Sequence, residues 1–391
     1  MNDDFLPYAR QSINADDTAA VAAALNSEFI TRGPLVEEFE MAFANYCDAK
    51  FAVAFSNAST ALLACCQAAE VNQFDRLITT PNTFVSTAGA AIHCGATPVF
   101  VDIKRDTGNL NLEHLAYTLE RPRSQGRSII MPVHFSGIAV DMAKLDSLIT
   151  EPDAVVIEDA AHAIGSHYSD GQKVGSCAWS QMTVFSFHPA KTMTTGEGGM
   201  VTTNDSELYH RLKLVRNNGI EREHRRLERD PMPWYYEVKF LSNNFNFTEF
   251  QAALGISQMN RLNEFIEKRR QLVKAYRQRL SGRQSIRLFT DEHDSVTGFH
   301  LFVVQIDFQA CKTTREKVML ALRDKNIGSQ VHYIPLYQHP YFEKTCGKIS
   351  EFFPETEKYY SEALSLPLYY DLSIDQVDYI VRQLLKVLKL Y

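Results

Sequence analysis

A chain of 391 residues is long enough for two domains, and 45% hydrophobic with 11% aromatic residues suffices for a large buried core, which excludes disordered, collagen-like and disulfide-scaffold proteins. Forty Lys and Arg against 47 Asp and Glu leave a net charge of −7 dispersed along the sequence, so no basic face is offered to nucleic acid or an anionic membrane. The start, MNDDFLPYAR, lacks an apolar leader core, no run approaches the ~18 apolar residues of a membrane span, and the seven cysteines form no C-x-x-C pair; a cytoplasmic protein with reduced thiols and no metal site is expected.

A first helix is predicted after Asn14 and Asp16, where TAAVAAAL has high helix propensity. Thr31-Arg32-Gly33-Pro34 breaks the chain, and from Pro34 a second helix places Leu35, Phe39, Ala42, Phe43 and Tyr46 on one face. Short apolar runs then alternate with helical segments: 51–56, 76–81, 96–103, 128–135, 154–160, 182–187 and 198–203. Continuous apolar strands separated by helices imply a mostly parallel sheet covered on both faces. From about Glu221 to Phe247 the sequence turns polar, aromatic and irregular, and a loop of that length is expected to be functional. One long helix is predicted from Thr248-Glu249 through Leu280, bridging two domains. A strand-like run at 300–307, a helix at 314–325, Val331-His332-Tyr333 and a C-terminal helix at 374–389 suggest a smaller α+β domain. The division expected is 1–255, a large domain with an N-terminal arm, and 256–391, a small C-terminal one.

Open α/β sheets bind ligands at the loops that follow their strands. At Ser56-Asn57-Ala58-Ser59-Thr60, a helix N-terminus supplemented by the Ser59 and Thr60 hydroxyls offers an anion site, although the same residues also serve plain capping. Asp159 ends an apolar strand, where a desolvated carboxylate wants a protonated ring nitrogen or a buried cation. Lys191 is delivered by a strand into a Thr- and Gly-rich loop with apolar flanks, a setting that lowers an amine pKa and favours a Schiff base. Phe84, in TPNTFVST, is placed either to lie on a flat ring or to fill the core. A reactive lysine, a carboxylate, an aromatic plate and a phosphate cradle are together the parts by which a protein holds pyridoxal phosphate.

With Gly33-Pro34 and Phe39-Glu40, SNAS-TALL, TPNTFVST, EDAAHAIG, SFHPAKTMTTGEGG and TEFQAALG in that order, the chain resembles the DegT/StrS family of sugar-nucleotide aminotransferases over nearly its whole length. The resemblance implies an α/β, aspartate-aminotransferase-like fold (fold type I), pyridoxal 5′-phosphate as cofactor, and a homodimer with composite active sites. By position it makes Lys191 the Schiff-base lysine, Asp159 the partner of the pyridine nitrogen and Phe84 the stacking ring. His162 stands where the family usually has Gln, near the cofactor's phenolic oxygen. Ala58, Ser59 and Ser186 match phosphate-binding positions, and Asn244 matches an asparagine that reaches the neighbouring subunit's phosphate. Ala58 replaces a usual Gly, and Asn246 replaces a common Arg.

Phe187-His188-Pro189, Pro233-Trp234-Tyr235-Tyr236-Glu237 and Val331-His332-Tyr333-Ile334-Pro335 with His339-Pro340-Tyr341 are similar to the pseudaminic-acid-pathway 4-aminotransferases of that family. That narrower resemblance implies a UDP-linked 4-keto-6-deoxy-N-acetylhexosamine as acceptor and L-glutamate as donor, with His188, His332 and Tyr333 at the sugar. Two alternatives stand beside it: another sugar-nucleotide aminotransferase or dehydratase of the same fold, and a non-catalytic regulatory protein. The family's dehydratases carry His in place of the lysine, so Lys191 argues against them; Lys191 and Asp159 together argue against the regulatory reading.

Overall fold

The computed structural model of the protein describes residues 5–121, 125–230 and 232–390, so the acidic start through Asp4 lies outside the described residues. All seven apolar runs form strands of one sheet: β1 (Phe51–Phe55), β2 (Arg76–Thr79), β3 (Thr97–Phe100), β4 (Ser128–Met131), β5 (Val155–Asp159), β6 (Met182–Ser186) and β7 (Gly199–Thr203). Their spatial order is β1-β7-β6-β5-β4-β2-β3. Pairing is parallel from β3 through β6, and β7 runs antiparallel to both β6 and β1. Two apolar clusters cover the two faces; Phe39, Phe43 and Phe185 lie in one, Leu77, Ile129 and Val184 in the other. Strands buried on both sides must be apolar throughout, which is why they were legible as runs.

Polar groups fix how the helices dock on this sheet. Asn14 caps the first helix, Ala15–Leu25, in a reciprocal capping box with Asp17. The Asp17 carboxylate is buried and accepts from Ser257 and Gln258 at 2.7 Å each, besides pairing with Arg261, which ties this helix to Glu249–Met259. Glu249 in turn accepts from the free N–H groups of Gly33, Leu35 and Val36 at 2.9 to 3.2 Å, a carboxylate at the positive end of helix Pro34–Cys47.

The single long helix expected from Thr248 to Leu280 is two helices, Glu249–Met259 and Leu262–Leu280, separated at Asn260 and Arg261. The break lets the first half lie against Ala15–Leu25 and the second against the C-terminal helix Ile374–Leu388. Across the irregular stretch that begins near Glu221 the described residues form two short strands, β8 (Ile220–Glu221) and β9 (Glu237–Val238), paired antiparallel, and one 3-10 turn, His224–Arg226. Beyond them β10 (Ile286–Leu288), β11 (Phe302–Ile306) and β12 (Ala363–Leu366) make a second, antiparallel sheet. Its third apolar cluster includes Leu272, Tyr276, Val304 and Ile380.

Two features outside the large sheet bear on the site. The N-terminal segment runs across the small sheet's side: Leu6 exchanges backbone hydrogen bonds with Asn326 and Gly328, and Tyr8 accepts from Leu368 N–H at 3.0 Å. Arg269 is buried with no carboxylate partner among the described residues, and its guanidinium donates to the carbonyls of Phe299 (3.2 Å), His300 (3.3 Å) and Leu368 (3.0 Å). No described helix is long and apolar enough to cross a membrane.

Candidate active site

The loops that follow β1, β2, β5 and β6 open onto one cavity of about 970 Å³. Asp159 forms part of its lining at the end of β5 and is buried. Thr87 donates to Asp159 Oδ2 at 2.6 Å, and the Ala161 N–H donates to Oδ1 at 3.1 Å. These partners hold the carboxylate in one orientation but carry no charge, so a cationic or protonated ligand remains its natural counterpart.

Its neighbour on β5 has a different task. Glu158 points to the other face of the strand, where His134 (2.7 Å), Tyr168 (2.7 Å), Ser180 (2.5 Å) and Thr183 (2.9 Å) surround it. Burial raises the Glu158 pKa, but hydrogen bonds and charge from His134, Ser180 and Tyr168 outweigh it and hold it below the ordinary carboxylate range. A depressed folded pKa contributes stability above the unfolded value, lost as pH falls through the folded one. Glu158→Ala, which strands those donors, is expected to lower unfolding free energy at pH 7 by about 3–5 kcal/mol in urea melts; an unchanged midpoint would contradict this role.

Lys191 enters the same cavity from the turn after β6. Burial lowers its amine pKa to about 8, against the opposing pull of the Asp159 carboxylate. An amine with such a pKa is about one-tenth free base at pH 7, far more than an ordinary lysine, and correspondingly more nucleophilic. Its Nζ is 3.5 Å from Nε2 of His300.

Opposite stands a wall of imidazole and phenol. His162 Nδ1 accepts from the Ser136 N–H at 3.3 Å, while its Nε2 is 3.1 Å from the Tyr333 hydroxyl. Tyr333 is further held by its N–H, which donates to Asn82 at 3.2 Å. His332 Nδ1 meets the Ser365 hydroxyl at 2.8 Å, and the Tyr8 ring lies 5.5 Å from the His332 ring. Burial pushes His162 and His300 well below the usual imidazole pKa and His332 down to about 3, with the Lys191 charge adding to each shift. These rings are neutral at physiological pH. Burial, then the Asp159 charge, pushes the Tyr333 phenol pKa upward, so it keeps its proton.

At the other end, helix Ala58–Ala68 directs its N-terminus into the cavity. Asn57 is its cap, and Thr60 completes a capping box with it. The Thr60 hydroxyl, for which capping and anion binding were both open, is engaged with Asn57 and Ser56 as a capping group. Ser59 remains exposed to the cavity, with its hydroxyl 2.5 Å from that of Ser86. Ala58, Ser59 and Ser186 thus line the same cavity, and Ala58 is the first residue of the helix.

Phe84 precedes helix Val85–His93 as its N-cap residue; it lines the cavity, is 57% exposed rather than a core residue, and its ring lies 6.3 Å from that of Tyr333. His188 is exposed in the same lining, its Nδ1 accepting from Ala190 N–H at 3.1 Å. Asn244 lies outside the lining and is exposed, accepting from Asn246 Nδ2 at 2.7 Å. Pro233 to Glu237 also lie outside it, Trp234 being 74% exposed. His300 and Tyr8, which line the cavity, carried no local sequence signal: one precedes an apolar run, the other lies in a polar N-terminal stretch.

The chain matches the DegT/DnrJ/EryC1/StrS aminotransferase family over residues 11–385. It is 36% identical to the spore coat polysaccharide biosynthesis protein SpsC of Bacillus subtilis, across 98% of this chain and 97% of that protein. It is 32% identical to the UDP-4-amino-4,6-dideoxy-N-acetyl-beta-L-altrosamine transaminase of Campylobacter jejuni, across 98% of each. Among solved structures it is similar to Helicobacter pylori PseC, an aminotransferase involved in the biosynthesis of pseudoaminic acid. That similarity has a TM-score of 0.88 and 29% identity, covering 99% of this chain and 100% of the other.

Proposed function

The chain belongs to the DegT/DnrJ/EryC1/StrS aminotransferase family, and from that premise we propose that it moves an amino group from L-glutamate to C4 of a UDP-linked 4-keto-6-deoxy-N-acetylhexosamine. It is a sugar aminotransferase, and its cofactor is pyridoxal 5′-phosphate. The residues present fit that group: a buried carboxylate with uncharged partners, a lysine with a lowered pKa, a helix N-terminus and an exposed aromatic face all border one cavity.

The observation that carries the proposal is this convergence of Lys191 and Asp159 on a space roomy enough for a nucleotide-sugar. Bound cofactor supplies an electron-withdrawing ring with a carbonyl carbon that exchanges amines. Asp159 keeps the ring nitrogen protonated. Lys191 would hold the cofactor between turnovers and, as a free amine, would carry the proton at the donor or acceptor carbon. Ser59, Ser186 and the Ala58 N–H hold the phosphate, Phe84 covers the ring face, and His162 approaches the ring's oxygen edge. His188, His332 and Tyr333 hold the sugar.

Support for this acceptor comes from the name of the Campylobacter relative and from the neutral imidazole and phenol groups at the cavity's wall, which can pack on a sugar face and bond its hydroxyls. Purified protein should aminate a UDP-4-keto-6-deoxy-N-acetylhexosamine with glutamate, the product showing nitrogen at C4 by NMR. Amination at C3, or turnover confined to dTDP-sugars, would overturn the substrate assignment. His332→Ala should slow the sugar half-reaction by roughly tenfold or more while sparing the glutamate half-reaction; equal loss in both would refute sugar binding at His332.

The same reading includes a division at 1–255 and 256–391 and a homodimer in which the exposed Asn244 reaches the partner subunit's cofactor phosphate. Mixing Lys191→Ala with Asn244→Ala protomers should restore up to about a quarter of native activity, since one heterodimer site receives both lesions and the other none. A fully active monomer at assay concentration would rule out shared sites.

A further inference from the structure

His300 is the cavity residue for which neither the fold nor the reaction described above gives a task. It is 4% exposed and fixed on every side. Its N–H donates to the Ser136 carbonyl at 2.9 Å, its carbonyl is held by Arg269, and its ring lies 4.4 Å from that of His162. Its Nδ1 is buried and has no hydrogen-bond partner among the described residues. Its Nε2 lies 3.5 Å from Nζ of Lys191.

An imidazole with one unpartnered nitrogen has a preferred tautomer. Orphaned buried N–H groups are rarer than orphaned acceptors, because a donor left dry has only one way to be satisfied. The proton therefore belongs on Nε2, and Nδ1 keeps its lone pair. Double protonation is opposed by burial first, and then by Lys191, His162, Arg269 and His332. Asp159 is the charge that acts on the amine in the opposite sense, favouring its ammonium form.

We infer that His300 is a positioning residue for Lys191: its Nε2–H donates to the lysine's Nζ lone pair, holding the resting amine as a free base until that hydrogen bond is given up to an incoming carbonyl. A protonated amine would confront the same N–H donor and be disfavoured. His300 thus counters Asp159, which the site needs for the ring nitrogen but which by itself would keep the lysine charged and unreactive. The inference rests on Lys191 being the amine that carries the cofactor; borohydride reduction and peptide mapping of the holoenzyme test that assignment separately.

The test reads Lys191 in cofactor-free protein, by competitive acetylation across pH 6–10 with mass-spectrometric quantification and surface lysines as internal reference. Asn at 300 stays polar but falls short of the amine, whereas Gln can present an N–H to it. His300→Asn should slow Lys191 acetylation at pH 7 about fivefold and move its midpoint to higher pH. His300→Gln should restore most of the native rate. Faster acetylation in His300→Asn would mean that the imidazole accepts from the ammonium form, and an unchanged profile would mean that it does not address the amine; either overturns the inference. Equal slowing in both variants, with matched thermal unfolding, would show that shape rather than the donor matters and would overturn it as well.

Discussion

Lys191→Ala is expected to lower transamination by roughly 10^3- to 10^4-fold, the scale of a lost general base and covalent anchor. The expectation comes from the surroundings of the amine: it borders the cavity, its pKa is lowered to about 8, and the Asp159 carboxylate acts on it. Lys173, by contrast, bonds the Tyr46 carbonyl at 2.7 Å and pairs with Asp48 away from the cavity. Borohydride treatment of the holoenzyme followed by peptide mapping should place the cofactor on Lys191. Label on another lysine, or a Lys191→Ala protein with a tenth of native activity, would remove Lys191 from its role.

Asp159→Ala should cost about 3–5 kcal/mol of transition-state stabilisation, or roughly 200- to 5000-fold in rate, because it strips the partner from a buried cation. Cofactor should still bind through the remaining contacts, so the loss falls on turnover rather than on occupancy. Asp159→Asn, which keeps the shape and can still accept from Thr87, should fail nearly as badly. That outcome separates charge from geometry. Full activity in Asp159→Asn would mean that the ring nitrogen is governed by another group. Thr87→Val, which removes the 2.6 Å hydrogen bond to Oδ2, should produce a milder defect of about tenfold at most.

The large sheet was legible because its strands are buried on both faces and therefore read as unbroken apolar runs. Lys191 and Asp159 were legible for a related reason: each is a charge that such a run delivers to its own end, where burial must be answered by function. The break at Asn260-Arg261 was not, because LGISQMNRLNEF contains no Pro and its one Gly lies inside the first helix. What ends that helix is tertiary: one half docks on the N-terminal helix through Asp17, the other on the C-terminal helix. At Thr60 the sequence left capping and anion binding both open, because they use the same residue types, and the Asn57 partnership shows capping. His300 was invisible locally, since its neighbour is 109 positions away in sequence.

The three carbonyls gathered by Arg269 bear on traffic as well as on packing. They belong to Phe299, His300 and Leu368, so one buried cation rivets the chain behind the cavity to the helix Leu262–Leu280. Swinging that wall outward would leave a guanidinium without acceptors in a dry interior, a far steeper climb than turning a side chain at the rim. Phe84, His188 and Ile334, which line the cavity and are exposed, belong to no such clamp, so movement is easier there. The back of the cavity is an anvil, and such gating as the enzyme needs is left to the rim.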